Sequence, residues 1–350
     1  MSRAKLKRRD VQQIEEEAES ESEEIVILNK GNFDYCVSTG STLLDLSISG
    51  SKVRGGGIPG GILFEVYGPP SAGKTAILSE ICASAQERGG HTRFLDPEAR
   101  LDKEYSRIYG VDLDKTDYHR PDTVTEVFDL IRGWNPPSAP KGGCNVVLTD
   151  SLAALSSDKE LSEDGDKQAG RRIAKDFSEG LRKTCRDIRH NDWLIACSNQ
   201  IREAEYGEKT PGGKGIPFYA SLMIRIGPPK ENKFIIKKAK FHGKDQQKII
   251  GINSTCDVRK SSIDDPYRTC SVPIIFNYGI DDIRSNLQWI KTILGGTMYN
   301  AVDKEYGQLN FAIKHIEDEG LEDPLRDRTI ALWEELHAKL TIRRRPKQRR

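Results

Sequence analysis

One segment combines the residue types that bind phosphate groups: Gly68-Pro69-Pro70-Ser71-Ala72-Gly73-Lys74-Thr75. It has the spacing G-x-x-x-x-G-K-T, follows an apolar run and leads into residues typical of a helix. The glycines let the backbone wrap a phosphate chain, which the loop amides and the helix N-terminus then face. Lys74 can reach the β- and γ-phosphates for binding and catalysis, and the Thr75 hydroxyl can bind Mg²⁺. The segment predicts a site for ATP and Mg²⁺, and the alternative is an ordinary glycine-rich turn.

Three other predicted strands end in polar residues that could complete this site. Asp150 follows an apolar run and suits a magnesium ligand, unless it only caps a helix. Glu98 follows another run and could orient the attacking water, unless it only caps a helix or forms a surface ion pair. Gln200 ends a third run. Its amide could sense the γ-phosphate and report it to the next loop, or it could make ordinary strand-end hydrogen bonds.

The elements that must position these residues alternate between strand and helix patterns from residue 36 to residue 280. Apolar runs predict strands at 62–67, 92–95, 145–149, 193–198, 221–226 and 272–276. Helices are predicted at 75–88, 101–109, 123–132 and 168–190. Several of the strand runs are continuously apolar, as expected for strands that are buried on both faces. The pattern predicts an α/β fold with a mostly parallel central sheet and with sites at the carboxyl ends of its strands.

We expect four segments along the chain: a charged arm with an oligomerisation strand at 1–35, an ATPase core at 36–280, a small helical C-terminal domain at 281–342 and a basic tail at 343–350. The arm contains an acidic run that is typical of a solvated helix or a disordered segment. Residues 25–28 read as a strand, which either joins a neighbouring subunit or lies at the edge of its own core. The C-terminal helices are predicted at 283–294, 304–319 and 325–340.

Length, charge and composition narrow the classes of protein to which this chain can belong. The 350 residues can form one large domain with appendages, or two domains. The net charge is only +1, so an interpretation as a nucleic-acid-binding protein depends on local clusters of charge. No apolar run reaches 18 residues and no signal peptide is visible, so we expect a cytoplasmic protein without a membrane partner. The seven cysteines form no C-x-x-C pair, which favours reduced thiols without a zinc site.

Taken together and in this order, the motifs resemble those of the RecA recombinase family. The resemblance is carried by residues 38–45, 57–61, 65–69, 95–102, 149–155, 198–202 and 210–221. It covers about residues 36–280. It implies a RecA-like core that hydrolyses ATP in a DNA-dependent manner, forms helical filaments on single-stranded DNA and exchanges strands in recombination and repair. ATP would then lie between neighbouring protomers.

The resemblance also implies roles for individual residues. Asp102 and Tyr105 would lie near the adenine, and Tyr278 could contact nucleotide from a neighbouring subunit. The family often places two basic residues at the interface between subunits, where they reach a neighbour's ATP. Lys260 aligns with the first of them, whereas Ser262 stands at the second position. The contribution in trans is therefore reduced, or shared with the arginine that precedes Lys260.

The two DNA-binding loops of the family correspond to about residues 157–172 and 201–215. Their candidate DNA-binding residues are Lys167, Arg171, Arg172, Arg202, Tyr206, Lys209, Gly212, Gly213 and Lys214. Mobile glycines with cations suit a phosphate backbone, and Tyr206 could wedge or stack between bases. The first loop also contains acidic residues, among them Glu160, Glu163, Asp164 and Asp166, so its electrostatic field is mixed. Taken alone, either loop could be an ordinary solvated surface loop.

Several alternatives stay open from the sequence. The basic tail could bind duplex DNA or stay solvated. The chain could be a helicase on the same core fold, a recombination mediator that exchanges no strands or, with less support, a metabolite kinase. As a recombinase it would act with single-stranded and duplex DNA, further copies of itself and a single-strand-binding protein or mediator. The departures from the family pattern suggest a divergent member from a bacterial nucleoid or a phage-infected cell.

Overall fold

The computed structural model describes residues 30–157, 169–204, 207–209, 215–229 and 231–342. The predicted strand at 25–28 and the basic tail lie outside these ranges. The α/β fold with a mostly parallel central sheet is confirmed. Most of the predicted core strands and helices lie within a few residues of their observed bounds.

The strands are numbered along the chain. They are β1 (Asn32–Val37), β2 (Ile58–Gly60), β3 (Ile62–Gly68), β4 (Thr92–Leu95), β5 (Thr116–His119), β6 (Val146–Thr149), β7 (Leu194–Gln200), β8 (Arg202–Ala204), β9 (Gly207–Lys209), β10 (Leu222–Gly227), β11 (Phe234–Phe241), β12 (Lys244–Ser261), β13 (Thr269–Ile275), β14 (Gly279–Ile280), β15 (Tyr299–Ala301) and β16 (Lys304–Tyr306).

The α-helices are numbered in the same way. They are α1 (Thr42–Ser49), α2 (Lys74–Glu87), α3 (Lys103–Ile108), α4 (Val124–Arg132), α5 (Ala169–His190), α6 (Gly215–Tyr219), α7 (Asp282–Leu294), α8 (Leu309–Glu319) and α9 (Glu322–Leu340).

The central sheet has the strand order β14-β13-β12-β10-β3-β7-β6-β4-β5, and β11 pairs with β12 outside this path. The strands from β10 to β5 run parallel to one another, whereas those from β14 to β12 add an antiparallel extension. The strand β3 lies between β10 and β7. The carboxyl ends of β3, β4, β6 and β7 therefore meet at one edge of the sheet, which is where parallel sheets hold their sites.

The sheet is covered on both faces by apolar side chains. One buried cluster joins helix α2 to β3 and includes Ile77, Leu78 and Ile81. A second cluster on the other face joins α4 and α5 to the sheet through Phe128 and Phe177. Burial on both faces explains why the strands read as continuous apolar runs in the sequence. It also holds the ends of the strands in a fixed arrangement.

The strands β11 and β12 form a long hairpin on the antiparallel extension of the sheet, which was not predicted from the sequence. The strands pair from Phe234 opposite Ile252 to Phe241 opposite Lys244. The two turn residues, His242 and Gly243, have φ values of 48° and 78°, which suits the type I′ turn of a tight hairpin. The residues of β11 are largely exposed, so no apolar run marks the strand in the sequence. The hairpin carries several lysines: Lys233, Lys237, Lys238, Lys240, Lys244 and Lys248.

The C-terminal helices α7, α8 and α9 form a hydrophobic cluster of their own around Leu287, Ile290 and Ile316. The predicted helix at 304–319 is wrong at its start, because β15 and β16 form a small hairpin before α8 begins at Leu309. Helix α9 begins before Pro324 rather than after it. Proline is tolerated in the first helical turn, where its missing N–H would have no partner in any case.

In the ranges that the structure covers, no helix is both long and apolar enough to span a membrane.

Candidate nucleotide-binding and active site

The predicted phosphate-binding loop connects the central strand β3 to helix α2. Gly73 has a φ of +100°, a conformation that favours glycine, and α2 begins at the next residue with its N-terminus toward the loop. Gly68 is needed for a different reason. A Cβ atom at this position would lie 1.9 Å from the carbonyl oxygen of Ile226 on the neighbouring strand. The loop therefore has the strand–loop–helix context that the motif requires.

Lys74 lies within this loop and is 8% exposed. Its Nζ donates hydrogen bonds to the carbonyl oxygens of Gly68, at 2.9 Å, and Pro69, at 2.8 Å. Burial lowers the pKa of Lys74, although the nearby Asp150 and Glu98 carboxylates act in the opposite direction. The side chain is thus held across the loop, close to two acidic groups.

Asp150 directly follows β6 and is buried. Its Oδ1 accepts a hydrogen bond from the Ser198 hydroxyl, whereas its Oδ2 has no hydrogen-bond partner in the described part of the chain. Burial raises the pKa of Asp150, and the Ser198 and Thr75 hydroxyls lower it. An unpartnered carboxylate oxygen beside a threonine hydroxyl is a hard oxygen donor set, which is the kind that Mg²⁺ prefers.

These donors cannot form a complete metal cage. No group of three or more His, Cys, Asp or Glu residues able to hold a metal occurs in the described ranges. Magnesium is usually bound through one or two protein carboxylates, with water and substrate phosphates supplying the other ligands. Asp150 and Thr75 therefore fit a Mg²⁺ ion that binds together with a nucleotide.

Glu98 lies three residues beyond β4, next to the segment that follows Asp150. Its carboxylate accepts a hydrogen bond from the Ser151 hydroxyl and forms an ion pair with Arg100. The strands β4 and β6 are neighbours, with Leu95 opposite Thr149. The Glu98 charge also acts to raise the pKa of Asp150. Glu98 thus forms an ion pair, which was the alternative role predicted from the sequence, and its carboxylate also lies close to Asp150, the candidate metal ligand.

Gln200 is the last residue of β7, and the sheet register places it opposite Gly68 on β3. Gly68 is the first residue of the phosphate-binding loop. The backbone N–H of Gln200 donates a 3.0 Å hydrogen bond to the Asn199 side-chain oxygen. Gln200 thus connects the edge of the candidate nucleotide site to the chain that continues into 201–215.

The candidate adenine residues lie around helix α3. Asp102 caps this helix by accepting a 2.7 Å hydrogen bond from the backbone N–H of Tyr105. The Tyr105 ring lies 4.9 Å from the ring of Tyr109, and burial raises the pKa of both phenols. A Cβ atom on Gly279 would lie 3.4 Å from the Tyr109 ring. Tyr109 therefore links Tyr105 to the segment that carries the half-exposed Tyr278.

Lys260 is bound to helix α6 of its own chain. Its Nζ donates to the carbonyl oxygens of Pro217, at 2.7 Å, and Phe218, at 3.2 Å. Partial burial lowers the pKa of Lys260. Arg259, the alternative cation, pairs with Asp257 at 3.0 Å.

The candidate DNA-binding residues are only partly covered. Lys167, Tyr206, Gly212, Gly213 and Lys214 lie outside the described ranges. Arg171 and Arg172 belong to the first turn of α5. The strands β8 and β9 form a small antiparallel pair in which Arg202 stands opposite Lys209. The backbone thus pairs two of the candidate DNA-binding positions in the segment that follows Gln200.

The sequence interpretation missed several residues that support this site. Ser198 and Ser151 bind the two acids, Asn199 holds Gln200, and Tyr109 packs on Tyr105. Ser198, Asn199 and Ser151 lie within the segments that resemble the family, and Asn199 and Ser151 directly adjoin the candidates Gln200 and Asp150. The signal was their position at the ends of buried strands, where polar residues need partners.

The fold and the loop together define an α/β protein with a RecA-like core and a P-loop motif between β3 and α2. The family model for the RecA N-terminal domain matches residues 7–281, which is more than half of the chain. The chain therefore belongs to the RecA family, as the motifs had predicted.

Individual relatives agree with this assignment. The chain is 30% identical over 284 residues to Protein RecA of Ruminococcus albus, covering 78% of this chain and 66% of that protein. It is 30% identical over 283 residues to Protein RecA of Acholeplasma laidlawii, covering 78% and 79%. It is 34% identical over 253 residues to Protein RecA of Methylococcus capsulatus, covering 70% and 66%.

Proposed function

We propose that this chain is an ATP-dependent recombinase that forms helical filaments on single-stranded DNA and catalyses homologous pairing and strand exchange in recombination and repair. The observation that carries the proposal is the meeting of four strand ends. The phosphate-binding loop follows β3, Glu98 follows β4, Asp150 follows β6, and Gln200 ends β7 opposite Gly68. Membership of the RecA family supports DNA as the substrate.

The loop of residues 68–75 binds the phosphates of ATP in this proposal. The amides of the loop and of the α2 N-terminus face the phosphates, and Lys74 moves from the loop carbonyls to the β- and γ-phosphates. Asp150 and Thr75 hold Mg²⁺, which neutralises phosphate charge when it is bound. Asp102, Tyr105 and Tyr278 bind or border the adenine. The paired Tyr105 and Tyr109 rings offer a surface for it.

Glu98 acts as the group that orients and polarises the attacking water. Its carboxylate is held by the Ser151 hydroxyl, which fixes its direction beside Asp150. The ion pair with Arg100 holds its other carboxylate oxygen. Lys260 of one protomer reaches the ATP of its neighbour in the filament after leaving the carbonyl oxygens of Pro217 and Phe218.

Gln200 couples the site to DNA. It senses the γ-phosphate and orders residues 201–215, where Arg202, Tyr206, Lys209 and Lys214 hold the single strand together with Gly212 and Gly213. Lys167, Arg171 and Arg172 form the second contact. Because every base has a stacking face, Tyr206 can wedge between bases without regard to sequence.

The decisive experiment is to measure ATP hydrolysis with and without single-stranded DNA for the native chain and for Gln200→Ala. The native enzyme should be strongly stimulated. Gln200→Ala should lose most of the stimulation and keep its basal rate within a few-fold, because the phosphate loop and Glu98 are unchanged. Gln288→Ala, an exposed amide on α7, serves as the control and should behave as the native chain. Hydrolysis of the native enzyme that ignores DNA would contradict the proposal.

The basic tail at 343–350 is proposed to bind duplex DNA. Its cations are Arg343, Arg344, Arg345, Lys347, Arg349 and Arg350. Each phosphate that a cation neutralises contributes about 0.9 to the slope of log affinity against log salt. Replacing the tail cations with glutamine should therefore lower the slope for duplex binding by about 0.9 for every phosphate that the tail neutralises. An unchanged slope would contradict the proposed binding of duplex DNA by the tail.

A mediator and a RecA-fold helicase are the rival functions. The mediator is disfavoured because Lys74, Glu98 and Asp150 are all present and lie together at one sheet edge. The helicase would form closed rings and unwind duplex processively, and electron microscopy on single-stranded DNA separates rings from filaments. We further propose the domain boundaries at 35, 280 and 342. The separate C-terminal cluster around Leu287 supports the second of these boundaries.

A further inference from the structure

Glu65 is an acid in the middle of β3, where the neighbouring side chains are apolar. It is 0% exposed and stands opposite Cys197 on β7. It forms no ion pair in the described part of the chain. Its Oε2 has no hydrogen-bond partner there either. A buried carboxyl with an unpartnered oxygen is costly, so its presence in the central strand calls for a reason beyond packing.

The hydrogen bond that Glu65 does form leads toward the site. Its Oε1 accepts a 2.9 Å hydrogen bond from the side-chain nitrogen of Asn199. The Asn199 oxygen in turn accepts the 3.0 Å hydrogen bond from the backbone N–H of Gln200. A continuous path of hydrogen bonds therefore runs from Glu65 in the sheet to the peptide of Gln200.

The donors and acceptors of the three groups determine which way the Asn199 amide faces. An ionised carboxylate can only accept hydrogen bonds, so the amide nitrogen of Asn199 must face Glu65. The amide oxygen of Asn199 must then face the Gln200 N–H. A protonated or amide side chain at position 65 can also donate, and the Asn199 amide could then turn over. Turning it would leave the Gln200 N–H without its acceptor.

We propose that Glu65 is a positioning residue, which orients Asn199 and thereby holds the Gln200 peptide in the state that passes the γ-phosphate signal to residues 201–215. The inference rests on the proposed sensor role of Gln200. Glu65 acts through Asn199 and touches neither nucleotide nor DNA. Its effect is therefore expected on the coupling between DNA and hydrolysis and not on the affinity for ATP.

The protonation state of Glu65 gives a readout that a purely structural role would lack. Burial raises the pKa of Glu65 to about 7, and the hydrogen bond from Asn199 lowers it only in part. The titratable group that interacts with it from β7 is Cys197, whose pKa burial holds well above its usual range, so that the thiol stays neutral. Because the raised pKa belongs to an acid, the ionised, orienting form predominates above pH 7 and is lost below it.

The test is the pH profile of DNA-stimulated ATP hydrolysis for the native chain, Glu65→Gln and Asn199→Ala. The native rate should rise through pH 7. Glu65→Gln should show a roughly tenfold lower stimulated kcat, without that rise and with the KM for ATP within about twofold, as the loss of one orienting hydrogen bond predicts. Asn199→Ala should show the same loss, and the double variant should lose no more, because both residues act on one path.

The matched control is Glu80→Gln. Burial raises the pKa of Glu80 to about 7 as well, but Glu80 lies on α2 and its hydrogen bond goes to the backbone of Ile280. Its variant should keep the rise through pH 7. A Glu65→Gln enzyme with the native rate and pH profile would overturn the inference, as would losses that add in the double variant. Failure of the sensor role itself would appear separately, as normal stimulation of Gln200→Ala.

Discussion

Replacing Lys74 with alanine is expected to weaken ATP binding by about 30- to 300-fold. The change removes a cation that can form charge-assisted hydrogen bonds to phosphate, each worth about 1.5–3 kcal/mol. It also removes the hydrogen bonds to the carbonyl oxygens of Gly68 and Pro69, which connect the two ends of the loop when no nucleotide is bound. Titration calorimetry with ATP and Mg²⁺ measures the loss.

Two further variants make the Lys74 result specific. Lys74→Met keeps the buried apolar stem, so equal losses in Met and Ala would assign the effect to the ammonium group. Lys115→Ala removes an exposed lysine that forms an ion pair with Asp112 and should leave ATP binding unchanged. Native affinity in Lys74→Ala would show that the loop does not bind the phosphates as proposed.

Replacing Glu98 with glutamine is expected to slow ATP hydrolysis by about 10²- to 10⁴-fold, the usual contribution of a general base. ATP affinity should stay within about threefold, because the hydrogen bond and the ion pair of the Glu98 carboxylate go to Ser151 and Arg100 rather than to the phosphate-binding loop. Glutamine can still accept the hydrogen bond from Ser151, so the side chain should keep its place. Single-turnover hydrolysis, measured together with ATP binding, separates the two effects.

Arg100→Ala is the matched control, because it breaks the ion pair with Glu98 and keeps the carboxylate. If Glu98 acts on water, Arg100→Ala should retain most of the rate. If Glu98 serves only to pair with Arg100, the two variants should be equally slow or equally normal. Normal hydrolysis by Glu98→Gln would refute its assignment as the group that activates water.

The parallel core could be predicted from the sequence because its strands are buried on both faces. Such strands appear as apolar runs, and β4 was located to the residue at Thr92–Leu95. The motif residues at the ends of these runs then had to converge, since parallel strands end at one edge of the sheet. The sequence alone therefore predicts that Asp150, Glu98 and Gln200 lie at the same edge of the sheet.

The rest depended on contacts that leave little trace in a sequence. The strand β11 is mostly exposed and polar, so it carries no apolar run. Asn199 and Glu65 are polar residues inside strands, and only the register of β3 with β7 reveals that their side chains meet. Tyr109 packs against Tyr105 because the short helix α3 ends just before Tyr109, beside Gly279. Tertiary packing decided each of these features, and local pattern did not.

The hairpin of β11 and β12 has a consequence for how copies of the chain meet. Among the described strands, β11 pairs only with β12, so its other edge offers unpaired backbone groups to any strand that approaches. Exposed edges of this kind promote aggregation. Lys237, Lys238 and Lys240 place positive charge along this edge, and a second copy would bring the same charge against it. The repulsion disfavours joining edge to edge, and the protection weakens as salt screens the charges.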